Sequence, residues 1–199
     1  MQAPTLLLAS ASKIRAQLLR QAGLRFEQRP VRIDETTIRD AFLAEGSSPR
    51  DLADALAEMK AQRLRDTGSL LVLGSDQVLD CDGAVYSKPE SPEDAVAHLR
   101  QLSGKTHHLH SAAVVCQQGA PIWRHVGHVR MTMHPLSEAF IQDYVSRNWD
   151  SIRHAVGCYK LEEEGVRLFA RIEGDYFSIL GLPLIELLTW LRARGDITT

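Results

Sequence analysis

The amino-acid sequence predicts a mixed α/β protein, and three patterns in the chain support this fold class. Residues 70–73 are four consecutive apolar residues, a length typical of a strand buried on both faces of a sheet. Ser-Pro pairs at 48–49 and 91–92, each with an aspartate three residues after the serine, are typical of helix starts. In residues 128–134 apolar and polar side chains alternate, as expected for an antiparallel strand with one solvated face.

The N-terminal part of the chain predicts a strand, a serine-rich turn and a helix. Residues 5–9 form the strand, residues 10–12 form the turn, and the helix is predicted to end before Gly23. This layout directs backbone N–H groups and hydroxyls at an anion bound to the helix N-terminus. Lys13 and Arg15 support an anion site because cations in a first turn oppose the helix dipole, although surface cations of this kind are common.

The next predicted elements are a second strand and a long helix. The strand covers residues 24–33 and ends at two adjacent carboxylates, Asp34 and Glu35, and a polar passage follows it. The helix covers residues 48–67, and its predicted buried stripe is Leu52, Ala55, Leu56 and Met59. Lys60 lies at the edge of this stripe and Arg63 falls near the same face, so helical geometry alone does not single out either cation.

The central stretch places an acidic residue at the end of the buried strand. A Gly-Ser pair interrupts the apolar run 70–73, and the next side chain is the carboxylate of Asp76. Ligands of open α/β sheets bind beyond the carboxyl ends of strands, which makes Asp76 a candidate functional residue. Residues 78–86 predict a hairpin with an Asp-Gly turn, which would bring Lys88 back near the acid. An ordinary turn aspartate and a solvated lysine also fit this stretch.

The rest of the chain continues to alternate between helices and strands. The predicted elements are a helix capped by Ser91 and ended by Gly104, two strands around a turn at 117–121, a helix at 137–147, an acidic turn at 162–165, a strand at 166–172 and a helix that opens at 181–184. No repeat, low-complexity segment or linker interrupts this order. The sequence therefore predicts a single domain over residues 1–199.

Composition and charge exclude several functional classes. With 199 residues and a net charge of −2, the chain has no global basic field that would favour nucleic acid. The three cysteines, Cys81, Cys116 and Cys158, lack CxxC spacing and are expected to be reduced thiols. No segment has the length of a signal peptide or a membrane span, so we expect a cytoplasmic protein without a membrane partner.

Three predicted strand ends carry groups suited to a metal-bound polyphosphate. They are the serine-rich turn with its cations, the carboxylate pair that includes Glu35, and Asp76, with Lys60 and Lys88 as further cations. Mg²⁺ prefers one or two carboxylates together with phosphate oxygens, and cations neutralise the charge on a leaving pyrophosphate. Neither a Walker A sequence nor GxGxxG is present, which excludes the usual glycine-rich phosphate cradles.

Other interpretations of the same residues are weaker. Residues 80–83 resemble the start of a calcium loop, but the later ligands and the closing glutamate are missing. If Asp76 were an aspartyl-phosphate nucleophile, a second Asp would usually follow two residues later, where this chain has Val78. A transition-metal site at the histidines of 107–110 lacks further suitably spaced ligands, and nothing marks a cysteine as the activated partner of a histidine.

Eight short motifs resemble those of the Maf-like nucleotide pyrophosphatases, and they occur in the family's order along nearly the whole chain. The matching pieces are LLLASASKIRAQLL at 6–19, IDE at 33–35, MKA at 59–61, GSDQV at 74–78, SKP at 87–89, LSGK at 102–105, EGDY at 173–176 and GLPL at 181–184. The resemblance implies an elongated mixed sheet flanked by helices, with two lobes around a central cleft. It also implies hydrolysis of nucleoside triphosphates to the monophosphate and pyrophosphate with a divalent metal cation, Mg²⁺ or Mn²⁺.

The resemblance further implies roles for individual residues. Asp76 would be the catalytic base or metal-linked acid, and Glu35 would join it at the metal. The implied phosphate-binding residues are Ser12, Arg15, Lys60 and Lys88. The implied substrate-specificity residues are Ile14, Gln77 and Glu162. The nucleoside triphosphate is the expected partner, and the sequence leaves a homodimer open.

One motif points to a branch of the family, and another departs from it. GSDQV resembles the branch associated with 7-methyl-GTP more than the dTTP/UTP branch, which has Thr after the aspartate. In the opening motif S-x-S-P-W-R-R, Lys13 replaces Pro, Ile14 replaces Trp and Ala16 replaces the last Arg, so one phosphate-side cation is missing. The sequence thus predicts a purine-leaning enzyme with a modest preference for 7-methyl-GTP over GTP. The alternative is a catalytically weak, nucleotide-binding regulator of cell division.

Overall fold

The computed structural model describes residues 6–65 and 67–198, and within them the chain forms seven strands and seven α-helices. The strands are β1 (Leu6–Leu8), β2 (Phe26–Gln28), β3 (Leu71–Cys81), β4 (Ala84–Tyr86), β5 (Thr106–Gln117), β6 (Ala120–Met133) and β7 (Phe169–Glu173). The helices are α1 (Lys13–Gln21), α2 (Glu35–Ala44), α3 (Pro49–Gln62), α4 (Pro92–Leu102), α5 (Glu138–Ile152), α6 (Tyr176–Ile179) and α7 (Leu184–Arg194). Residue 5, where the first predicted strand begins, lies outside the described residues.

The strands form one mixed sheet, which confirms the predicted fold class. Their order is β2-β1-β3-β5-β6-β7, and β4 pairs with β3. β1 is parallel to both of its neighbours, and its Leu7 lies opposite Glu27 and Val72. The pairs β3–β4 and β6–β7 are antiparallel. Among the described helices, none has both the length and the apolar character needed to cross a membrane.

The chain divides into two compact units, each assembled from segments that are distant in sequence. The described residues within 1–77, 110–127 and 176–199 belong to the first unit, and those within 78–109 and 128–175 belong to the second. Strands β3, β5 and β6 contribute residues to both units. The single domain and the cleft between two lobes stay predictions.

In the first unit, the side chains of β3 alternate between two layers. Leu71 and Leu73 join an apolar core with residues of β1, β5, α1 and α7. The buried members of this core are Leu6, Leu8, Ala16, Leu18, Leu19, Leu71, Leu73, Ala113, Val115, Leu180, Leu182, Leu184, Leu187 and Leu191. Gly74 faces α3 instead. Strand alternation therefore directs Asp76, two residues after Gly74, toward α3 as well.

The central strand does not end where the sequence predicts. The Gly-Ser pair is expected to stop it, but β3 continues to Cys81. A Cβ atom at Gly74 would lie 2.0 Å from the carbonyl oxygen of Ala57 and 2.7 Å from the amide nitrogen of Ala61. The glycine thus allows α3 to approach the strand closely and does not break it. Asp76 consequently lies within β3 and not beyond its end.

Helix α3 turns a different face to the sheet from the predicted one. Met59 is 40% exposed, whereas the buried residues of the helix are Leu52, Ala53, Leu56, Ala57, Lys60 and Ala61. The residues of this face that lie nearest Gly74 are alanines, Ala57 and Ala61, because the two backbones are so close there. The face includes Lys60 and leaves Arg63 exposed. Packing therefore selects one of the two cations that helical periodicity leaves equivalent.

The polar passage after residue 33 contains a helix, α2, that periodicity does not predict. Asp34 is its N-cap, and the Asp34 carboxylate accepts a hydrogen bond from the Thr37 amide at 3.0 Å. No residue of α2 is buried, so the helix lacks the apolar stripe on which its prediction would depend. The neighbouring strand β2 is half-buried and much shorter than the predicted strand at 24–33. The two carboxylates at 34–35 therefore begin a helix and do not end a strand.

The remaining elements differ from the predictions mainly at their ends. The Asp82-Gly83 turn is confirmed, and the φ angles of 53° and 80° at its two residues are those of a type I′ hairpin. Helix α3 ends before the predicted residue 67, and α5 continues beyond the predicted residue 147. β7 begins at Phe169 because residues 164–168 form a 3-10 turn. The short helix α6 is not predicted.

A buried histidine in the second unit makes the stability of the fold depend on pH. His107 is fully buried, its Nε2 lies 2.8 Å from the Tyr159 hydroxyl oxygen, and burial lowers its pKa to about 4. An unfolded chain protonates this imidazole first as pH falls, because an unperturbed histidine has a pKa of roughly 6.5. The stability contributed by neutral His107 is therefore complete above that value and is lost as pH falls from about 6.5 to about 4.

We expect the free energy of unfolding to fall by about 2 kcal/mol between pH 7 and pH 5 through this residue alone. Denaturant unfolding of the wild type and of His107→Phe at both pH values measures the effect. The variant should lose that part of the pH dependence, whereas His154→Phe, a matched change at an exposed histidine, should retain it. Equal pH dependence in His107→Phe and the wild type would contradict the assignment.

Candidate functional site

A lysine shared by two carboxylates forms the centre of the candidate site in the first unit. The Lys60 ammonium donates a short hydrogen bond to Oδ1 of Asp76. It also lies 2.7 Å from Oε1 of Glu35. The Lys60 and Asp76 side chains are only 10% and 11% exposed, whereas the Glu35 side chain is 49% exposed. The site therefore has a buried acid–cation pair and a second carboxylate that reaches solvent.

Three local features of the sequence produce this arrangement. Gly74 brings α3 against β3, and Lys60 lies on the face of α3 that meets the strand. Asp76 follows Gly74 on the same face of β3. The Asp34 cap begins α2 at Glu35, whose carboxylate reaches the Lys60 ammonium. The side chains meet because a helix start, a helix face and a strand face converge on one point.

Burial and the neighbouring positive charges act in opposite directions on the pKa of Asp76. Burial raises the pKa of the Asp76 carboxyl above its ordinary value, and the positive charges of Lys60 and Arg15 oppose this rise. The negative charge of Glu35 adds to the rise. A buried carboxylate that lies beside cations and has a raised pKa is a candidate functional group.

Arg15 lies close to this centre but is held mainly by backbone carbonyl groups. Its Nε donates to the Gly181 carbonyl oxygen at 2.7 Å, and its Nη1 donates to the Ser75 carbonyl oxygen at 2.7 Å and to Ser10 Oγ at 3.3 Å. Burial lowers the pKa of the Arg15 guanidinium, and the charges of Asp76 and Glu35 oppose that change. The guanidinium therefore contributes a fixed positive charge to the field at Asp76, and phosphate binding by Arg15 stays a prediction.

The serine-rich turn before α1 is confirmed. Ser12 is the N-cap of the helix, and its hydroxyl accepts from the Arg15 amide at 3.4 Å. The Ser10 hydroxyl accepts from the Ser12 amide at 3.2 Å. The position where the family motif has its last Arg is occupied by Ala16, which packs in the apolar core. This chain therefore has no cation at that position. Phosphate binding by Ser12 stays a prediction.

Two of the predicted site residues belong to the second unit. Lys88 is exposed and lines a cavity of about 740 Å³ with Tyr86, Asp94 and His98. Glu162 is exposed in the acidic turn before the 3-10 turn at 164–168. The structure thus brings Glu35, Lys60 and Asp76 together, whereas the roles of Lys88 and Glu162 stay predictions.

The two predicted specificity residues of the first unit are both engaged with the protein itself. Ile14 is partly buried against the apolar core. The Gln77 amide nitrogen donates to Ser111 Oγ at 2.8 Å and to the carbonyl oxygens of Ile179 at 3.0 Å and Ser178 at 3.1 Å. Base selection by these two residues stays a prediction.

Two buried serines near the site are absent from the sequence prediction. Ser75 and Ser111 are both fully buried. The Ser75 hydroxyl donates to the Gly181 carbonyl oxygen at 3.0 Å, and the Ser111 hydroxyl donates to the Ser178 carbonyl oxygen at 2.6 Å. The sequence signal for such residues is a serine inside an otherwise apolar strand. A buried hydroxyl requires a hydrogen-bond partner, so a serine at such a position indicates a polar contact with another segment.

The oxygen donors of the site suit a hard divalent cation. Glu35 and Asp76 converge on one point, and Mg²⁺ is commonly held by one or two carboxylates with phosphate oxygens and water. Within 6–65 and 67–198, no group of three or more His, Cys, Asp or Glu residues could hold a metal ion.

The cysteines give no support to thiol chemistry. Cys81, Cys116 and Cys158 are free and buried. Burial raises the pKa of Cys116 to about 11 and that of Cys158 to about 12. Thiols with such pKa values are protonated and weakly nucleophilic at neutral pH.

Comparison with known proteins identifies similar chains of nearly the same length. A sequence profile of the family described as Maf-like protein matches residues 5–194. A protein of Roseobacter denitrificans named nucleoside triphosphate pyrophosphatase is 58% identical over 193 residues, which cover 96% of this chain and 97% of that protein. A protein of Ruegeria pomeroyi with the same name is 57% identical over 98% of both chains. A protein of Rhizobium meliloti named 7-methyl-GTP pyrophosphatase is 47% identical over 98% of both chains.

Proposed function

Because this chain belongs to the Maf-like protein family, we propose that it is a nucleoside triphosphate pyrophosphatase. The reaction is hydrolysis of the α–β phosphoanhydride, which gives a nucleoside monophosphate and pyrophosphate. The observation that carries the proposal is the buried Asp76 carboxylate paired with Lys60 and faced by Glu35. Relatives named for this activity are 57% and 58% identical to the chain over almost its whole length.

In this proposal Asp76 accepts a proton from the water that attacks the α-phosphorus. Burial keeps Asp76 basic enough for that transfer, and Lys60 keeps the carboxylate oriented. The positive charges of Lys60 and Arg15 stabilise the negative charge that develops on the leaving pyrophosphate. Ser12 and Lys88 are the further phosphate-binding residues that the family motifs imply.

Glu35 and Asp76 are the residues that would hold a divalent cation. When bound, Mg²⁺ or Mn²⁺ would neutralise charge on the triphosphate. Glu35→Gln removes one charged ligand and keeps the shape of the side chain, so we expect a higher metal concentration at half-maximal rate. A titration of activity with MgCl₂ measures the shift. An unchanged half-maximal concentration would remove Glu35 from the metal site.

For the substrate, we propose a purine triphosphate with a modest preference for 7-methyl-GTP over GTP. The motif GSDQV and the similarity to a relative named 7-methyl-GTP pyrophosphatase support this choice. Ile14 offers no aromatic surface on which a charged methylated purine could stack, and the missing cation–π contribution is roughly 0.5–2 kcal/mol. The proposed preference is modest for this reason.

The cytoplasmic location stays a prediction.

Release of pyrophosphate from a nucleotide panel tests the proposed function. The panel contains GTP, 7-methyl-GTP, ATP, dTTP and UTP, each with Mg²⁺ and with Mn²⁺, and binding is measured in parallel by calorimetry. We expect pyrophosphate from the purine nucleotides and the highest kcat/KM with 7-methyl-GTP. Tight binding without turnover would instead support the regulator of cell division, and a preference for dTTP and UTP would overturn the substrate assignment.

The charge of Lys60 should matter more than that of Arg63, the residue that caps the C-terminus of α3. Lys60→Met removes the ammonium from the two carboxylates, and we expect kcat/KM to fall by an amount equivalent to roughly 1–3 kcal/mol. Arg63→Met, a matched loss of an exposed cation three residues later, should leave kcat/KM unchanged. If both variants retain wild-type kcat/KM, Lys60 has no part in the reaction.

A further inference from the structure

Two histidines of the second unit contact each other across neighbouring strands of the sheet. Burial alternates along the start of β5, so His107 is buried and His108 points to the opposite, more exposed face. His128 is exposed on β6, the next strand of the sheet. The Nε2 atom of His128 lies 2.9 Å from the Nδ1 atom of His108, and the two rings are stacked with their centroids 4.9 Å apart. Spacing along the sequence does not reveal this pair, because only the pairing of β5 with β6 brings the two imidazoles together.

Other side-chain contacts hold the strands that carry the two histidines. The Thr106 and Thr132 hydroxyl oxygens, on β5 and β6, lie 2.9 Å apart. Arg130, two residues after His128 on β6, donates to a Glu173 carboxylate oxygen on β7 at 2.7 Å. Arg171 donates to the other oxygen of that carboxylate at 2.9 Å. The two imidazoles are therefore presented by a sheet that side chains as well as backbone pairing hold, and the positive charge near them is partly balanced.

The distance between the two ring nitrogens matches that between two neighbouring ligands of one metal ion. Bonds from a metal to an imidazole nitrogen are roughly 2.0–2.1 Å long, so two such ligands at right angles lie about 2.9 Å apart. Square-planar and tetragonal sites with nitrogen ligands are typical of Cu²⁺ and Ni²⁺. A metal ion would take the place of the hydrogen between the two nitrogens. That hydrogen would pass to the other nitrogen of the same ring or to solvent.

We propose that His108 and His128 form a binding site for a transition-metal ion of the Cu²⁺ or Ni²⁺ type. Its imidazole ligands distinguish it from the pair Glu35 and Asp76, whose oxygen atoms suit a hard cation. Among the described residues, no group of three or more His, Cys, Asp or Glu could hold a metal ion. The bound ion therefore has two protein ligands and completes its coordination with water. This site goes beyond the proposed pyrophosphatase function and does not depend on it.

Calorimetric titration of the full chain with NiCl₂, without nucleotide, tests the site. Excess MgCl₂ occupies carboxylate sites and leaves the imidazoles open, because Mg²⁺ prefers oxygen ligands. We expect the wild type to bind one Ni²⁺ per chain. In His108→Gln and in His128→Gln the affinity should fall about 100-fold, since loss of a ligand costs at least as much as the roughly 10- to 100-fold loss caused by changing a group that only orients a ligand.

The matched control is His134→Gln, which removes an exposed histidine directly after β6. This variant should bind Ni²⁺ as the wild type does. Wild-type affinity in both His108→Gln and His128→Gln would overturn the proposal. An equal loss of affinity in His134→Gln would also overturn it, because the ion would then bind exposed histidines without selection. Circular dichroism establishes that the variants are folded.

Electron paramagnetic resonance of bound Cu²⁺ counts the nitrogen ligands directly. The wild type should show coupling to two imidazole nitrogens, whereas His128→Gln should show coupling to no more than one. The thiols of Cys81, Cys116 and Cys158 are buried and do not compete for the ion. A wild-type spectrum with a single coupled nitrogen would mean that the two histidines do not chelate one ion, which would refute the site.

Thermal unfolding provides a readout that needs no activity. An ion that binds the folded state and not the unfolded chain raises the Tm. Ni²⁺ should therefore raise the Tm of the wild type and of His134→Gln, and should leave that of His108→Gln unchanged. An equal rise in all three proteins would contradict the assignment. If the wild type released no pyrophosphate, the proposed function would fail while these measurements still tested the histidine pair.

Discussion

Asp76→Asn should lose activity by a factor of ~10² or more while the protein stays folded. The substitution keeps the shape of the side chain and removes the group that accepts the proton. Lys60 retains its second partner, Glu35, so the variant does not leave an isolated buried ammonium. Pyrophosphate release under saturating nucleotide and metal measures the loss, and circular dichroism with thermal unfolding establishes that the fold is intact.

The matched control for this change lies on the same strand. Asp80→Asn makes the same chemical change four residues later in β3, at a partly buried position. It should retain activity, because Asp80 has no part in the proposed site. A folded Asp76→Asn protein that kept about a tenth or more of wild-type turnover would remove Asp76 from the proposed chemistry.

Gly74→Ala should destabilise the protein by an amount at or above the upper end of roughly 1–3 kcal/mol. The new Cβ atom would lie 2.0 Å from the carbonyl oxygen of Ala57 and 2.7 Å from the amide nitrogen of Ala61. Both are backbone atoms, so no side-chain rotation relieves the clash and α3 must move away from β3. Since α3 carries Lys60, activity should fall together with stability.

Thermal unfolding measures this effect, because each kcal/mol lowers the Tm of a chain of this size by roughly 2–4 °C. Gly46→Ala is the control for loss of backbone freedom alone. Gly46 has a φ of +73° and no atom within 4 Å of its Cβ position, so the expected cost is only roughly 1–2 kcal/mol. If Gly74→Ala were no less stable than Gly46→Ala, the close approach of α3 would not be a constraint on the fold.

The family and the mixed sheet could be predicted from the sequence because the evidence for them is local. Apolar strand runs, Ser-Pro helix starts and the Asp-Gly hairpin turn each depend on a few adjacent residues. Elements without such a signal were missed or misplaced. Helix α2 has no buried face. The continuation of β3 through Gly74 depends on the close packing of α3, and the local sequence around Gly74 carries no sign of that packing.

The centre of the candidate site was predicted by residue type and only partly by position. Glu35, Lys60 and Asp76 are brought together, but the choice of Lys60 over Arg63 required the packing of α3. The anchoring contacts of Gln77 and Arg15 could not be predicted, because the carbonyl groups of residues 178–181 lie about a hundred residues further along the chain than Gln77. Sequence motifs name the side chains of a site, whereas contacts between distant segments of the chain decide where those side chains are held.

Hydrolysis of GTP in ¹⁸O-labelled water, with both products examined by mass spectrometry, tests the central claim most directly. Attack of water on the α-phosphorus with Asp76 as proton acceptor places the label in the nucleoside monophosphate and none in pyrophosphate. Label in pyrophosphate would show attack at the β-phosphorus, and release of labelled inorganic phosphate with GDP would show attack at the γ-phosphorus. Either result would contradict the assignment of this chain as a nucleoside triphosphate pyrophosphatase acting at the α-phosphorus.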